Sequence, residues 1–197
     1  MNYGCEGKRA VISGGTSGIG LAAARLLLAD GAEVWLLARH EQPALMPELT
    51  AAYADKVHFV ACDVAKVADC QNAAAEIKKA GAVDFLVNSA GIYSEQSMEM
   101  LTEAEFDEIF NVNIKGTVFL TQALLPHFAA AGAVVNVASD AGINGNYGCV
   151  AYCASKGAVV AFTRALALDT APRLRVNCVC PADIATPLLE RQLKAAG

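Results

Sequence analysis

The residues best placed to do chemistry lie in "CVAYCASKGAVVAF", Cys149–Phe162. Tyr152 and Lys156 stand four apart, one helical turn, so a phenol and an ammonium would share one helix face. A free phenol ionises near about pH 10, too high for efficient proton exchange at neutrality. An ammonium about 4 Å away, at an effective dielectric near 20, is worth ~4 kcal/mol, about three pK units. Such a pair can act as a general acid–base unit. It can equally be a core tyrosine with a lysine snorkelling beside it. The elements that position the pair decide between these.

The chain has 197 residues, 55% apolar and 18% charged, which suits one domain with a full core and is short for two. A net charge of -5 without a basic patch argues against nucleic acid as a partner. The N-terminus "MNYGCEGKRAVISGG" lacks the order of a signal peptide, and Asp, Arg or Gly interrupts every apolar run before it could span a membrane. Seven cysteines are an odd count, Cys178 and Cys180 read as core thiols of a strand, and His40, His58 and His127 lie too far apart for a metal site. The expected location is a reducing cytoplasm.

Short apolar runs alternate with helical stretches. The runs predict strands at Arg9–Ser13, Glu33–Ala38, Val57–Cys62, Asp84–Ser89, Ala133–Ser139 and Leu174–Cys180. Helices are expected at "IGLAAARLLLADG" and "DCQNAAAEIKKAG", each stopped by glycine, and through "TVFLTQALLPHFAAAG" and "SKGAVVAFTRALALD". Strands this continuously apolar are covered on both faces, which predicts α/β architecture: a doubly wound, Rossmann-like parallel sheet in a three-layer αβα domain. Ligands of such sheets bind beyond the carboxyl ends of the strands.

After the first predicted strand comes "SGGTSGIG", leading into a helix. Gly14 suits the turn, Gly18 allows close backbone approach to a pyrophosphate, and Gly20 allows close helix–sheet packing. The helix N-terminus offers N–H groups to phosphates. Thr16, Ser17 and Ile19 belong to the same loop. The pattern predicts a dinucleotide, though a tight turn alone would also use glycine. The second predicted strand ends in Ala38–Arg39, where an acid would select a ribose 2′-hydroxyl. A guanidinium there favours NADP(H) over NAD(H), unless Arg39 is merely a solvated surface residue. Asp63, with Val64, falls near an expected adenine, and "NSAG" (Asn88–Gly91) brings small residues, including Ala90, beside the ligand.

These motifs resemble the short-chain dehydrogenase/reductases, from Lys8 to about Leu189. "GGTSGIG" is similar to that family's cofactor loop and "NSAG" to its "NNAG", with Ser89 for the second asparagine. Asn113 in "NVN", Ser139, Tyr152 and Lys156 line up with its catalytic tetrad, including the 13-residue offset from Ser139 to Tyr152. The resemblance implies ketone–alcohol interconversion: Tyr152 as general acid/base, Ser139 on the substrate oxygen, Lys156 on the nicotinamide ribose, and Asn113 seating a relay water. "NCVCPADIATP" is similar to its segment around Pro-Gly, which implies cofactor contacts from Pro181, Ile184 and Thr186. Ala182 replaces the glycine, which would strain a positive φ.

Relatives continue through a substrate lid and a last strand, so residues 1–197 are expected to be one cofactor domain apparently lacking both. A small-molecule carbonyl or alcohol is the expected partner, in a homodimer or homotetramer packed through the two long helices. Candidate substrate-pocket residues are Tyr93, Asp140, Ile143, Tyr147 and Cys149. The rival readings are a catalytically silent nucleotide-binding protein and, with different glycine spacing, an epimerase or dehydratase.

Overall fold

A strand as apolar as "AVI" or "VWLL" needs cover on both sides, and the computed structural model, which describes residues 3–196, supplies it. The first half runs β1 (Arg9–Ser13), α1 (Gly18–Ala29), β2 (Glu33–Ala38), α2 (Leu45–Tyr53), β3 (Val57–Ala61), α3 (Val67–Lys78) and β4 (Val83–Asn88). Alternation sends Ala10, Ile12, Val34 and Leu36 into one core with Ala24 and Leu28 of α1 and Leu45 and Leu49 of α2. Their neighbours Val11, Trp35 and Leu37 enter a second core with Cys70, Ala73 and Ile77 of α3. The result is three layers around a parallel sheet of order β3-β2-β1-β4-β5-β6. The strand order reverses between β1 and β4, which opens a crevice at their carboxyl ends.

The second half contains α4 (Glu103–Phe110), α5 (Gly116–Leu124), β5 (Phe128–Val137), α6 (Ala141–Asn144), α7 (Val150–Thr170), β6 (Leu174–Val179) and α8 (Pro187–Ala196). A Thr102–Glu105 capping box starts α4. Between α4 and α5 the chain makes one π-helical turn, Asn111–Lys115. The extra residue in that turn carries Asn113 to the interior, where it is 1% exposed.

Three expectations are corrected. The helix expected through "TVFLTQALLPHFAAAG" ends at Leu124. Pro126 sits in a tight turn, Leu125–His127, and β5 begins at Phe128; a proline cannot donate to the helix ladder. Secondly, β6 is an edge strand: Leu174 and Val176 are buried, while Arg175 and Asn177 are exposed. Cys178 and Cys180 are therefore half-buried rather than core thiols. Thirdly, β3, β5 and β6 end at Ala61, Val137 and Val179, so Cys62, Ser139 and Cys180 lie in the loops beyond. Helices α2, α4, α6 and α8 add to the four expected.

A polar seam runs through the sheet below the crevice. Asn88 of β4 and Asn136 of β5 are register partners, and Asn88 Nδ2 donates to Asn136 Oδ1 at 2.8 Å and to Thr121 Oγ1 at 3.0 Å. Asn136 Nδ2 donates to Thr163 Oγ1 at 2.9 Å. The seam ties both strand ends to α5 and α7, the helices that flank the crevice. Among the described residues, no helix is long and apolar enough to cross a membrane.

The π turn exits against β3's loop at Gly116, where a Cβ would lie 2.8 Å from the Val64 side chain. Gly116→Ala is expected to destabilise the fold by ~1–3 kcal/mol, read as a lower urea midpoint at unchanged slope. An unchanged midpoint would mean that Val64 has room to yield.

Candidate active site

The crevice begins at the N-terminus of α1. Ser17 precedes that helix in extended backbone and makes no side-chain cap, and no acidic residue sits in the first turn. The first N–H groups thus remain open to an anion. Gly14 and Gly18 have φ of +66° and +51°, and a Cβ on Gly14 would lie 2.9 Å from the Ala90 backbone. A Cβ on Gly20 would strike the Gly14 carbonyl oxygen. This loop with bare backbone and unpaired donors fits the pyrophosphate of a dinucleotide. Ser17, Gly18 and Ile19 line the crevice together with Ala90 and Gly91 and with Pro181, Ile184 and Thr186, the last close against Gly18. Ala182 carries no strain, since among the described non-glycine residues only Ala54 has a positive φ.

Ser139, Tyr152 and Lys156 meet on a wall of the same crevice. Ser139 follows β5, donates to Asp140 Oδ1 at 3.0 Å and accepts the Ala141 N–H at 3.2 Å. Burial raises the Tyr152 phenol above its ordinary range, against a hydrogen bond with Ser139 that favours ionisation. Lys156, 5% exposed, places its ammonium 5.8 Å from the Tyr152 ring centroid and donates to the Val137 carbonyl at 2.9 Å. Burial lowers its pKa to about 8. The cation thus sits beside the ring and on a backbone oxygen, and at the phenol desolvation is the largest influence.

Asn113 Oδ1 accepts the Ile92 N–H at 2.8 Å, and its Nδ2 donates to the Ile92 carbonyl and to Ser155 Oγ, each at 3.0 Å. Ser155 in turn donates to the Tyr152 carbonyl at 2.8 Å. The Asn113 side chain is therefore a strap joining the π turn, the loop after β4 and α7, with both amide hydrogens used and one Oδ1 lone pair still open. Its carbonyl accepts from Thr117 Oγ1 at 2.9 Å.

Other expected residues fall elsewhere. The side chains of Thr16, Val64 and Asn88 are 7%, 8% and 2% exposed and do not line the crevice. Val64 packs into the core and Asn88 into the polar seam, so only their backbones could meet a ligand. Arg39 and Asp63 share a separate depression with His40 and Lys66. Arg39 is exposed and has no ion pair among the described residues, whereas Asp63 accepts the Ala65 N–H at 3.2 Å. Of the pocket candidates, Tyr93 and Asp140 line the crevice. Ile143 and Tyr147 are exposed, and Cys149 is buried behind Tyr93. No cluster of His, Cys, Asp or Glu among the described residues suits a metal ion.

Residues 8–196 match the family model described as short chain dehydrogenase. The chain belongs to the short-chain dehydrogenase/reductase family. Over 196 residues it is 41% identical to the 2-(R)-hydroxypropyl-CoM dehydrogenase of Xanthobacter autotrophicus, covering 93% of this chain and 77% of that protein. A 3-ketoacyl-(acyl-carrier-protein) reductase from Brucella melitensis, solved with NADH, superposes with a TM-score of 0.87 at 35% identity, over 94% of this chain and 80% of that one. ElxO with NADP bound gives 0.89 at 29%, over 96% and 79%. The known proteins thus include both nicotinamide cofactors.

Within this short-chain dehydrogenase, sequence reasoning missed Ser155 and Asn146. Ser155 is fully buried between Asn113 and Tyr152. Its only signal was a small hydroxyl beside Lys156, too common to single out. Asn146 lines the crevice from a loop without periodicity.

Lys156 has a consequence for stability. The unfolded chain holds the proton up to its ordinary 10.5, while the folded chain releases it near about 8. Between these values the unfolded state binds more protons, so stability rises with pH. Urea unfolding should therefore show wild type gaining ~3 kcal/mol on Lys156→Met between neutral pH and the top of that window. A pH-independent difference would mean that the ammonium is well solvated.

Proposed function

We propose that this protein interconverts a ketone and a secondary alcohol, with NADP(H) preferred over NAD(H). The observation that carries this reading is the meeting of Tyr152, Ser139 and Lys156 on one wall of the crevice that opens at the uncapped start of α1. The bound nicotinamide would supply or accept the hydride.

The chain's own groups do the rest. In reduction, Tyr152 donates its phenolic proton to the carbonyl oxygen as charge develops there. Ser139, turning its hydroxyl from Asp140, donates to the same oxygen. Lys156, still an ammonium at neutral pH, stabilises the tyrosinate left behind. At an effective dielectric near 20 that attraction opposes the desolvation that burial imposes on the phenolate. Asn113 acts as a positioning residue, holding α7 against the loop after β4. Gly14, Thr16, Ser17, Gly18, Ile19 and Gly20 would cradle the diphosphate. Asn88, Ala90 and Gly91 would back the ribose, with Val64 and Asp63 toward the adenine. Pro181, Ile184 and Thr186 would close over the carboxamide, and Lys156 would also reach a ribose hydroxyl. The exposed Arg39 guanidinium, in no ion pair among the described residues though Asp63 shares its depression, suits a 2′-phosphate.

The seven free thiols support a reducing, cytoplasmic setting. Leu168 of α7, 81% exposed, supports a homodimer through the expected long helices, while Phe106, 39% exposed and stacked on Phe110 at 4.1 Å, would add α4 to the interface expected from α5 and α7. Residues 1–197 would form the cofactor domain of such an assembly.

Two variants test the reading. Tyr152→Phe should lower turnover of a ketone panel by ~10²–10⁴-fold while fluorescence titration shows NADPH binding nearly unchanged; an active variant would sink the mechanism. Arg39→Ala should weaken NADPH binding about tenfold or more, with NADH affected far less. Equal losses would remove Arg39 as the discriminator. A wild type that binds NADPH yet turns over no ketone would favour the silent nucleotide-binding reading.

A further inference from the structure

Cys149 and Cys153 flank Tyr152 on α7, and the reaction proposed above uses neither. Their sulfurs are 3.6 Å apart. Both converge on Asn146: Cys149 donates to its carbonyl at 3.6 Å and Cys153 at 3.8 Å, while Cys153 accepts the Asn146 N–H at 3.2 Å. Cys149 is 1% exposed and Cys153 half-buried. Cys149 has φ of -141° and ψ of 50°, outside the helical region, so its side chain can shift without unwinding α7. It also lies beside the Tyr93 side chain, and the Tyr93 ring meets the Tyr152 ring edge-on at 4.9 Å.

We propose that Cys149 and Cys153 form a redox modification site, which hydrogen peroxide closes to a disulfide that disengages Tyr93 from behind Tyr152. Cys153, the more exposed thiol and the one receiving an N–H, reacts first. Its thiolate attacks a peroxide oxygen, the O–O bond breaks, and the departing hydroxide takes up the thiol's proton as water, leaving a sulfenic acid. The Cys149 sulfur then attacks the Cys153 sulfur. The S–O bond breaks, and the leaving hydroxide takes the Cys149 proton as a second water. Two thiols lose two electrons, and one peroxide becomes two waters. Burial pushes the Cys149 thiol up to about 11, which suits it to the second step rather than the first. Closure to a bond of about 2.05 Å needs the sulfurs to approach by roughly 1.5 Å. It draws the Cys149 sulfur toward Cys153, so the Tyr93 side chain loses the neighbour it rests beside.

The other close thiols are poorer candidates. Cys178 and Cys180 are 4.0 Å apart but only two residues apart in extended chain, and Cys62 and Cys70 are both buried. The tryptic peptide of residues 116–156 contains Cys149 and Cys153 as its only cysteines, so its mass reports this pair alone. The full chain should be treated with hydrogen peroxide, alkylated and digested. That peptide is expected to lose two hydrogens and refuse alkylation before the peptide holding Cys178 and Cys180 does. NADPH-dependent reduction of butane-2,3-dione is expected to fall at least about fivefold and to return with dithiothreitol, while Cys153→Ser keeps its activity under the same peroxide. Both thiols remaining alkylatable while others oxidise would overturn the site. A disulfide formed with undiminished turnover would overturn the coupling. The effect on turnover rests on the proposed function, but the thiol chemistry does not: if the reduced protein turns over no ketone, that reading fails and the peptide masses still decide the site.

Discussion

A buried ammonium is the constraint around which the site is built. Lys156 gives up most of its hydration, and the compensation visible in the structure is a single backbone carbonyl, Val137 at the end of β5, together with the face of the Tyr152 ring. Holding that arrangement requires α7 to stay fixed against β5. The buried bonds of Asn136 to Asn88 and Thr163 do this from below, and Asn113 does it from the side through Ser155 and Ile92. The packing of half the molecule thus converges on one charge.

The same logic explains why an irregular helix serves the site better than a regular one. A regular helix through 103–124 would turn Asn113 by a different angle, and its amide could not reach both the Ile92 backbone and Ser155. The π turn supplies the one extra residue that swings it inward. Gly116, pressed on Val64, then lets the helix resume close to the loop after β3. One irregular turn thus provides a strap across three elements.

The crevice divides into two electrostatic regions. At its phosphate end, open N–H groups and bare glycine backbone offer positive potential without any side-chain cation. At its reactive end, a neutral phenol, a hydroxyl and a buried ammonium adjoin Asp140 and the half-exposed lip at Pro181. Shifts in opposite senses, upward for Tyr152 and downward for Lys156, share one physical cause: both charged forms are poorly hydrated there. Such a pair trades protons more readily than either group would in water.

The doubly wound sheet, the glycine loop and the alignment of Ser139, Tyr152 and Lys156 were legible in the chain. Apolar runs, glycine spacing and helical periodicity are local properties that survive any packing. Local signals also misled where long-range packing decides. Pro126 ended a helix that composition alone favoured, and β6 lay at an edge, so Cys178 and Cys180 were left half-exposed. The backbone partner of the ammonium was not legible either. A four-residue spacing sets which face the two groups share, but the Val137 carbonyl, far away in sequence, decides where the ammonium rests. The sequence by itself determined the elements and the chemical inventory at their ends. Only the tertiary structure decided which donors meet which acceptors, because hydrogen-bond partners such as Asn113 and Ser155 are chosen by the folded geometry rather than by their neighbours in the chain.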